Sequence, residues 1–211
     1  MVNIGNMSES SKKILSFYNR HIDEHGSGPN AVGWNDTQSQ EARFVALCKV
    51  GDLDNSSILD VGCGLGDFYK YLADRYKGID YTGIDINPRY IALAKQRYPD
   101  ANFEVTDFSE YADGPFDFVV ASGTFAVKIP NYKEVYFGQI KKMFAIARRG
   151  VAFTMLDAEY HPNDEEYAAY AVEEIRAFCL LLTDDVVVDR GYLPHDFTII
   201  MRHNKVVQEQ R

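Results

Sequence analysis

The stretch Ser57-Ile58-Leu59-Asp60-Val61-Gly62-Cys63-Gly64-Leu65-Gly66-Asp67-Phe68 decides the fold. A short apolar run, Ile58 to Val61, stops at three glycines spaced two apart. A helical pattern then starts at Asp67, with Phe68, Leu72 and Tyr76 one turn apart and Gly78 as its stop. Strand, tight turn and helix follow one another without a linker. Glycines let the main chain turn sharply and let a ligand approach it. In an open α/β sheet that ligand lies outside the carboxyl ends of the strands. A nucleotide phosphate fits this loop poorly. The dinucleotide fingerprint needs a glycine at position 67, where Asp67 would set a carboxylate against the pyrophosphate. The phosphate loop of nucleotide hydrolases needs a lysine after its last glycine, and none follows Gly66.

Outward from this loop the chain alternates. Upstream, a helix is expected over 9–22, with Ile14, Leu15, Phe17 and Tyr18 on its apolar side. A loop rich in glycine, proline and asparagine follows, then a second helix over 37–50 with Asp36 as its cap. Downstream come a strand at 81–84 and a helix capped by Asn87 with Pro88 at its first position. Strands at 102–105 and 116–121, a helix over 131–148 and a strand at 151–156 continue the pattern. A helix over 164–182 and strands at 186–189 and 197–201 complete it. The last two strands are too close in sequence for a crossover, so they pair as an antiparallel hairpin. The expected architecture is a three-layer α/β sandwich: a seven-stranded, mostly parallel sheet with an antiparallel last strand. Residues 1–35 read as an N-terminal helix and loop forming part of a lid, and residues 36–211 as the main domain.

Composition narrows the function. With 22 Lys and Arg against 31 Asp and Glu, the net charge is −9. No basic run exceeds two residues, which speaks against duplex nucleic acid as a partner. No apolar run approaches the roughly 20 residues of a membrane span. The opening MVNIGNMSESSKK has no apolar core of a secretory signal. Three scattered cysteines, Cys48, Cys63 and Cys179, form neither a disulfide framework nor a metal cluster. A cytoplasmic protein is expected. Length and composition leave the oligomeric state open.

The spacing D-x-G-x-G-x-G over 60–66 resembles motif I of the class I S-adenosylmethionine-dependent methyltransferases, and the landmarks downstream agree in order. The resemblance covers residues 36 to 202 and looks like that of small bacterial members with unassigned substrates. It implies S-adenosyl-L-methionine as cofactor, held by Asp60, Gly62, Cys63, Gly64 and Gly66 of the loop. Asp85 and Ile86 would meet the ribose, Asp107 and Phe108 the adenine, and Ala121 the methionine moiety. The tetrad [DN]-P-P-[YFW], used on exocyclic amino groups of nucleic acids, is missing; its place reads Ala121-Ser122-Gly123-Thr124. A small-molecule methyl acceptor is therefore expected first. Protein or nucleic-acid acceptors stand behind it, and a homologue that binds the cofactor without transferring methyl is the alternative from another class.

Methyl transfer from a sulfonium is an in-line displacement, so the protein chiefly supplies alignment and, for some acceptors, a base. His161, beside Pro162 after the fifth strand, and His195, before the last strand, are the candidate bases. Tyr160, Tyr167 and Tyr170 are candidate walls of an acceptor pocket. The second helix starts near the glycine loop, so Arg43 is expected to pair with the methionine carboxylate and Trp34 to close over the donor.

Overall fold

In the computed structural model, residues 7–161 and 164–204 are described. Seven strands lie in the order β3-β2-β1-β4-β5-β8-β7. These are β1 (Ser57–Val61), β2 (Asp80–Asp85), β3 (Asn102–Val105), β4 (Phe116–Ala121), β5 (Ala147–Asp157), β7 (Asp185–Arg190) and β8 (Asp196–Arg202). Only β8 runs antiparallel to its neighbours β5 and β7. The sheet is the expected one, with one addition: a two-residue strand, β6 (Ala169–Tyr170), pairs with Leu156 and Asp157 beyond the end of β4.

Helices cover both faces because the strand residues alternate between two apolar cores. Leu59, Val61, Val119, Ala121, Val151, Phe153 and Ile199 share one core with α5 (Tyr132–Ile146) and α6 (Val172–Cys179). Ile58, Phe118, Val120, Ala152 and Ile200 share the other with α2 (Thr37–Cys48), α3 (Asp67–Ala73) and α4 (Pro88–Arg97). Side chains two apart along a strand fall on one face, so a parallel strand buried on both sides is apolar throughout. Asp36 caps α2 and Asn87 caps α4 through their side chains, as read from the sequence. No helix among the described residues is long and apolar enough to cross a membrane.

Three stretches differ from the sequence reading. The helix expected to reach Arg148 ends at Ile146, and Ala147 to Gly150 extend β5 instead, beside Phe116 and Phe118. The helix after Gly66 ends at Ala73 rather than Lys77. The helix expected from residue 164 begins only at Val172. Before it the backbone is extended, because its donors and acceptors are engaged elsewhere: Lys128 N–H donates to Glu166 O and Ala168 N–H to Ala126 O. Asp164 Oδ1 accepts the N–H groups of Glu166 and Tyr167, a turn that competes with helix.

The N-terminal segment lies across the carboxyl edge of the sheet. Helix α1 (Glu9–His25) sends Phe17 into the large core, and Ile22 packs with Ala31, Leu65 and Tyr90. The buried Tyr90 hydroxyl donates to the carbonyls of Tyr18 and Ala31, which ties α4 to both α1 and the following 3-10 turn (Pro29–Val32). On the other flank, Arg43 of α2 joins the start of β8: its Nε stands 2.5 Å from Asp196 Oδ2. Their side chains are only 5% and 2% exposed.

Tyr90→Phe should cost at most about 1–3 kcal/mol of global stability. Amide hydrogen exchange should rise chiefly over residues 9–34, because two carbonyls there lose their shared donor. Arg43→Ala should cost about 3–5 kcal/mol in urea unfolding, since Asp196 keeps a buried charge without its partner. The apolar pair Arg43→Met with Asp196→Leu should cost less than the single change.

Candidate functional site

A cavity of about 410 Å³ opens at the carboxyl ends of β1, β2 and β3, roofed by α1 and the 3-10 turn. Its floor is the glycine loop. The N–H groups of Gly62 and Cys63 both donate to Ile84 O, at 2.8 and 3.0 Å, so the loop is tied to the end of β2 as it leaves β1. Gly62 has φ 74°, and a Cβ there would stand 2.5 Å from Thr124 Oγ1. That hydroxyl donates to Val61 O, which seats the segment after β4 directly on the loop. A Cβ would run into Thr124 at Gly62 and against Val32 at Gly64, so both positions present bare main chain to the cavity they line.

Three carboxylates face the cavity from successive strand ends. Asp85 Oδ2 accepts the Gly64 N–H at 2.9 Å and Oδ1 the Asn87 N–H at 2.8 Å. Burial pushes its pKa up to about 6, with those backbone donors opposing the rise. Asp60 Oδ2 accepts the Tyr81 hydroxyl at 2.7 Å, while Oδ1 is buried without a partner. Burial pushes Asp60 up to about 7; the Tyr81 hydrogen bond opposes this and Asp85 adds to it. Asp107 is held by its own loop and by the roof. Oδ1 accepts from Ser109 N–H and Oγ, and Oδ2 accepts the Ser11 hydroxyl of α1 at 2.6 Å. Phe108 is buried in the same wall, where Lys142 stands 4.9 Å from its ring and donates to its carbonyl.

Of the residues singled out in the sequence, Asp60, Gly62, Cys63, Gly64, Asp85, Ile86, Asp107, Phe108 and Trp34 line this one cavity. Gly66 does not: it opens α3 and packs on Phe103 and Tyr98. Ala121 is fully buried beneath the cavity, and its neighbour Ser122 takes the place in the wall, its hydroxyl buried and without a partner. Arg43 is a correction. Its guanidinium pairs with Asp196, donates to Ser39 O and stacks 4.0 Å over the Trp34 ring, so it is committed within the protein and is absent from the cavity wall.

The tyrosines proposed as acceptor walls are elsewhere too. Tyr170 is core, donating to Phe125 O; Tyr167 packs on Phe17; Tyr160 is 51% exposed. His161 and His195 lie near each other, ring centroids 6.0 Å apart, but outside the cavity wall. Pro162 falls outside the described residues. The roof residues Ser11, Ile14 and Tyr18, and Ile129, Tyr136 and Gln139 on the far side, were not named from the sequence as cavity residues. The apolar side of the first helix and a lid over residues 1–35 were expected; which of their side chains meet the cavity was not legible.

Residues 58–149 match the family described as "Methyltransferase domain". A relative from Mycobacterium tuberculosis that bears the name "Putative methyltransferase" is 30% identical over 163 residues, which are 72% of this chain and 96% of that protein. A malonyl-[acyl-carrier protein] O-methyltransferase of Acetivibrio thermocellus is 40% identical over 120 residues, 54% of this chain and 40% of its own length. Among solved structures, magnesium protoporphyrin IX methyltransferase from Synechocystis with bound SAM has a TM-score of 0.69 at 14% identity, over 94% of this chain and 99% of that one. At that identity the likeness speaks for the fold; the match along nearly the whole mycobacterial relative speaks for the family. With the glycine loop, the strand-end carboxylates and the antiparallel β8 in their places, this chain belongs to the class I S-adenosylmethionine-dependent methyltransferases.

Proposed function

We propose that the protein transfers a methyl group from S-adenosylmethionine to a small-molecule acceptor. The observation that carries this reading is the single cavity in which Asp60, Asp85 and Asp107 converge above the glycine loop. The residues present fit the donor. Two buried polar atoms at the cavity, Asp60 Oδ1 and Ser122 Oγ, lack partners among the described residues. Asp85 has lone pairs left for the two ribose hydroxyls. Asp107 and Phe108 offer an acceptor and an aromatic face to the adenine. Asp60, Gly62, Cys63, Gly64 and Ser122 surround the place left for the amino-acid end. The anionic lining suits a sulfonium and repels the phosphates of rival nucleotides.

When bound, S-adenosylmethionine supplies a methyl group on a positively charged sulfur, already activated for displacement. The protein's own work is alignment and exclusion of water. Helix α1 and Trp34 serve as the lid, with Ser11 latching the roof to Asp107. The interior is more apolar than polar, with Ile14, Ile129, Val135 and Tyr136 among its walls, which favours an acceptor with an apolar body. The relatives named for malonyl-[acyl-carrier protein] and magnesium protoporphyrin support a small acceptor over a nucleic acid. Three unpaired thiols agree with work in the cytoplasm.

Calorimetry should show S-adenosylhomocysteine binding and no specific binding of NADH. Asp85→Ala should weaken it by about 1.5–3 kcal/mol, the worth of hydrogen bonds to a charged group. Unchanged affinity would remove Asp85 from the ribose site. Wild-type affinity should be full well above pH 7 and fall as pH drops through about 7 and then about 6, where Asp60 and Asp85 in turn take up a proton. The sign for folding is opposite. Asp60 and Asp85 have folded pKa values, about 7 and about 6, above the unfolded carboxylate's, so they favour the folded state as pH falls towards 4. Weaker binding near pH 5 therefore reports the site and not unfolding. Trp34 is the only tryptophan, so saturating S-adenosylhomocysteine should shift or quench its emission. An unchanged spectrum with the ligand bound would take Trp34 out of the lid.

A further inference from the structure

Trp34 has two sides, and only one of them belongs to the donor cavity. The indole lines the cavity, while Arg43, stacked over it at 4.0 Å, does not. On Arg43's side lies a polar cluster that the donor does not use. Asp196 is buried there, its Oδ2 against Arg43 Nε and its Oδ1 without a hydrogen bond. His195 precedes it at the start of β8. The ring of His161 meets that of His195 edge to face, at 85°, and both imidazoles lie close enough to bear electrostatically on Asp196. His161 Nε2 is buried and has no partner among the described residues. Ser122 Oγ, on the cavity side, is in the same condition. Unpartnered buried polar atoms are costly and rare, and they call for a ligand or a proton to meet them. Here one of them, Ser122 Oγ, stands in the cavity wall with Trp34, and two lie around the Arg43–Asp196 pair that backs the Trp34 ring.

That side chain is poorly anchored. Trp34 follows Gly33, which has φ 86°, and its indole is held by packing and by the Arg43 cation, without a hydrogen bond among the described residues. Its ring edge rests on Gly123, where any Cβ would overlap it. Gly123 directly follows Ser122 at the end of β4, and its N–H donates to Thr154 Oγ1 on β5, towards Asp157 and His195. Turning the indole off Gly123 would join the cavity to the cluster along the carboxyl ends of β4 and β5.

We propose that this cluster receives the protic end of the methyl acceptor, a hydroxyl or an amine, with Trp34 as the door and His161 Nε2 as the base. The proposal rests on the methyl-transfer reading above. The acceptor's lone pair forms the bond to the methyl carbon, and the carbon–sulfur bond breaks with its electrons left on sulfur. The acceptor's proton passes to His161 Nε2 and then to water. Asp196 stabilises the imidazolium. His195, Arg43 from α2, Asp157 at the end of β5 and Glu159 after it, Arg190 on β7 and Tyr192 before β8 are the other titratable groups around it. Two cations face three carboxylates there: Arg43 pairs with Asp196, and Arg190 with Asp157 and, at 3.7 Å, Glu159. A site with that excess of negative charge selects an acceptor that must lose a proton over a carboxylate that is already ionised.

The test uses the full chain with saturating S-adenosylhomocysteine. Diethyl pyrocarbonate, mapped by peptide mass spectrometry, should modify His161 slowly in the wild type and severalfold faster in Trp34→Ala. Equal rates would overturn the door. Labelled S-adenosylmethionine is then incubated with a metabolite extract. His161→Gln should lower label transfer by about 100-fold or more while leaving S-adenosylhomocysteine affinity unchanged, and added imidazole should partly restore His161→Ala. Undiminished transfer by His161→Gln, or label found in carboxylate esters, would overturn the base and leave the methyl-transfer reading standing. No label from the wild type in any fraction would sink both.

Discussion

The double hydrogen bond from Gly62 and Cys63 to Ile84 O is the constraint on which the site depends. It pins the turn after β1 to the end of β2. That places the Gly64 N–H within reach of Asp85 and sets Cys63 between Asp85 and Asp60. The opposite face of the turn is closed by Thr124, whose hydroxyl returns to Val61 O. A loop held on both faces is pre-organised, so little conformational entropy remains to be lost when a ligand settles on it.

Holding the loop this way brings carboxylates into a low-dielectric place. Asp60 and Asp85 are both raised well above an ordinary carboxylate by burial; Asp85 adds to the rise at Asp60, and hydrogen bonds oppose the rise at both. The fold tolerates this strain because the sheet supporting it is buried on both faces by two large apolar cores. Stability contributed at the centre of the sheet is thus offset at its carboxyl edge, where a cationic ligand would relieve it.

The edge is closed by non-local contacts. Helix α1 reaches Asp107 through Ser11 and α4 through Tyr90, across 96 and 72 positions of sequence. On the other flank Arg43 and Asp196 join α2 to β8 across more than 150 residues of sequence. Trp34 lines the donor cavity and carries the Arg43 cation over its ring.

The alternation of strand and helix, the glycine turn, the caps at Asp36 and Asn87 and the closing hairpin were all legible in the sequence, because each is specified by residues within a few positions of one another. Asp85 and Asp107 could be placed at strand ends for the same reason. Tertiary structure alone decided the rest. The tyrosines at 167 and 170 have helical spacing, yet the backbone there is extended because the chain after β4 supplies its hydrogen bonds. Arg43 was expected to meet a carboxylate of the cofactor and meets Asp196 instead, because its partner is set by β8, far along the chain. Local periodicity determines which segments form; the buried pairing of charges and main-chain groups between distant segments determines which side chains remain free for a ligand.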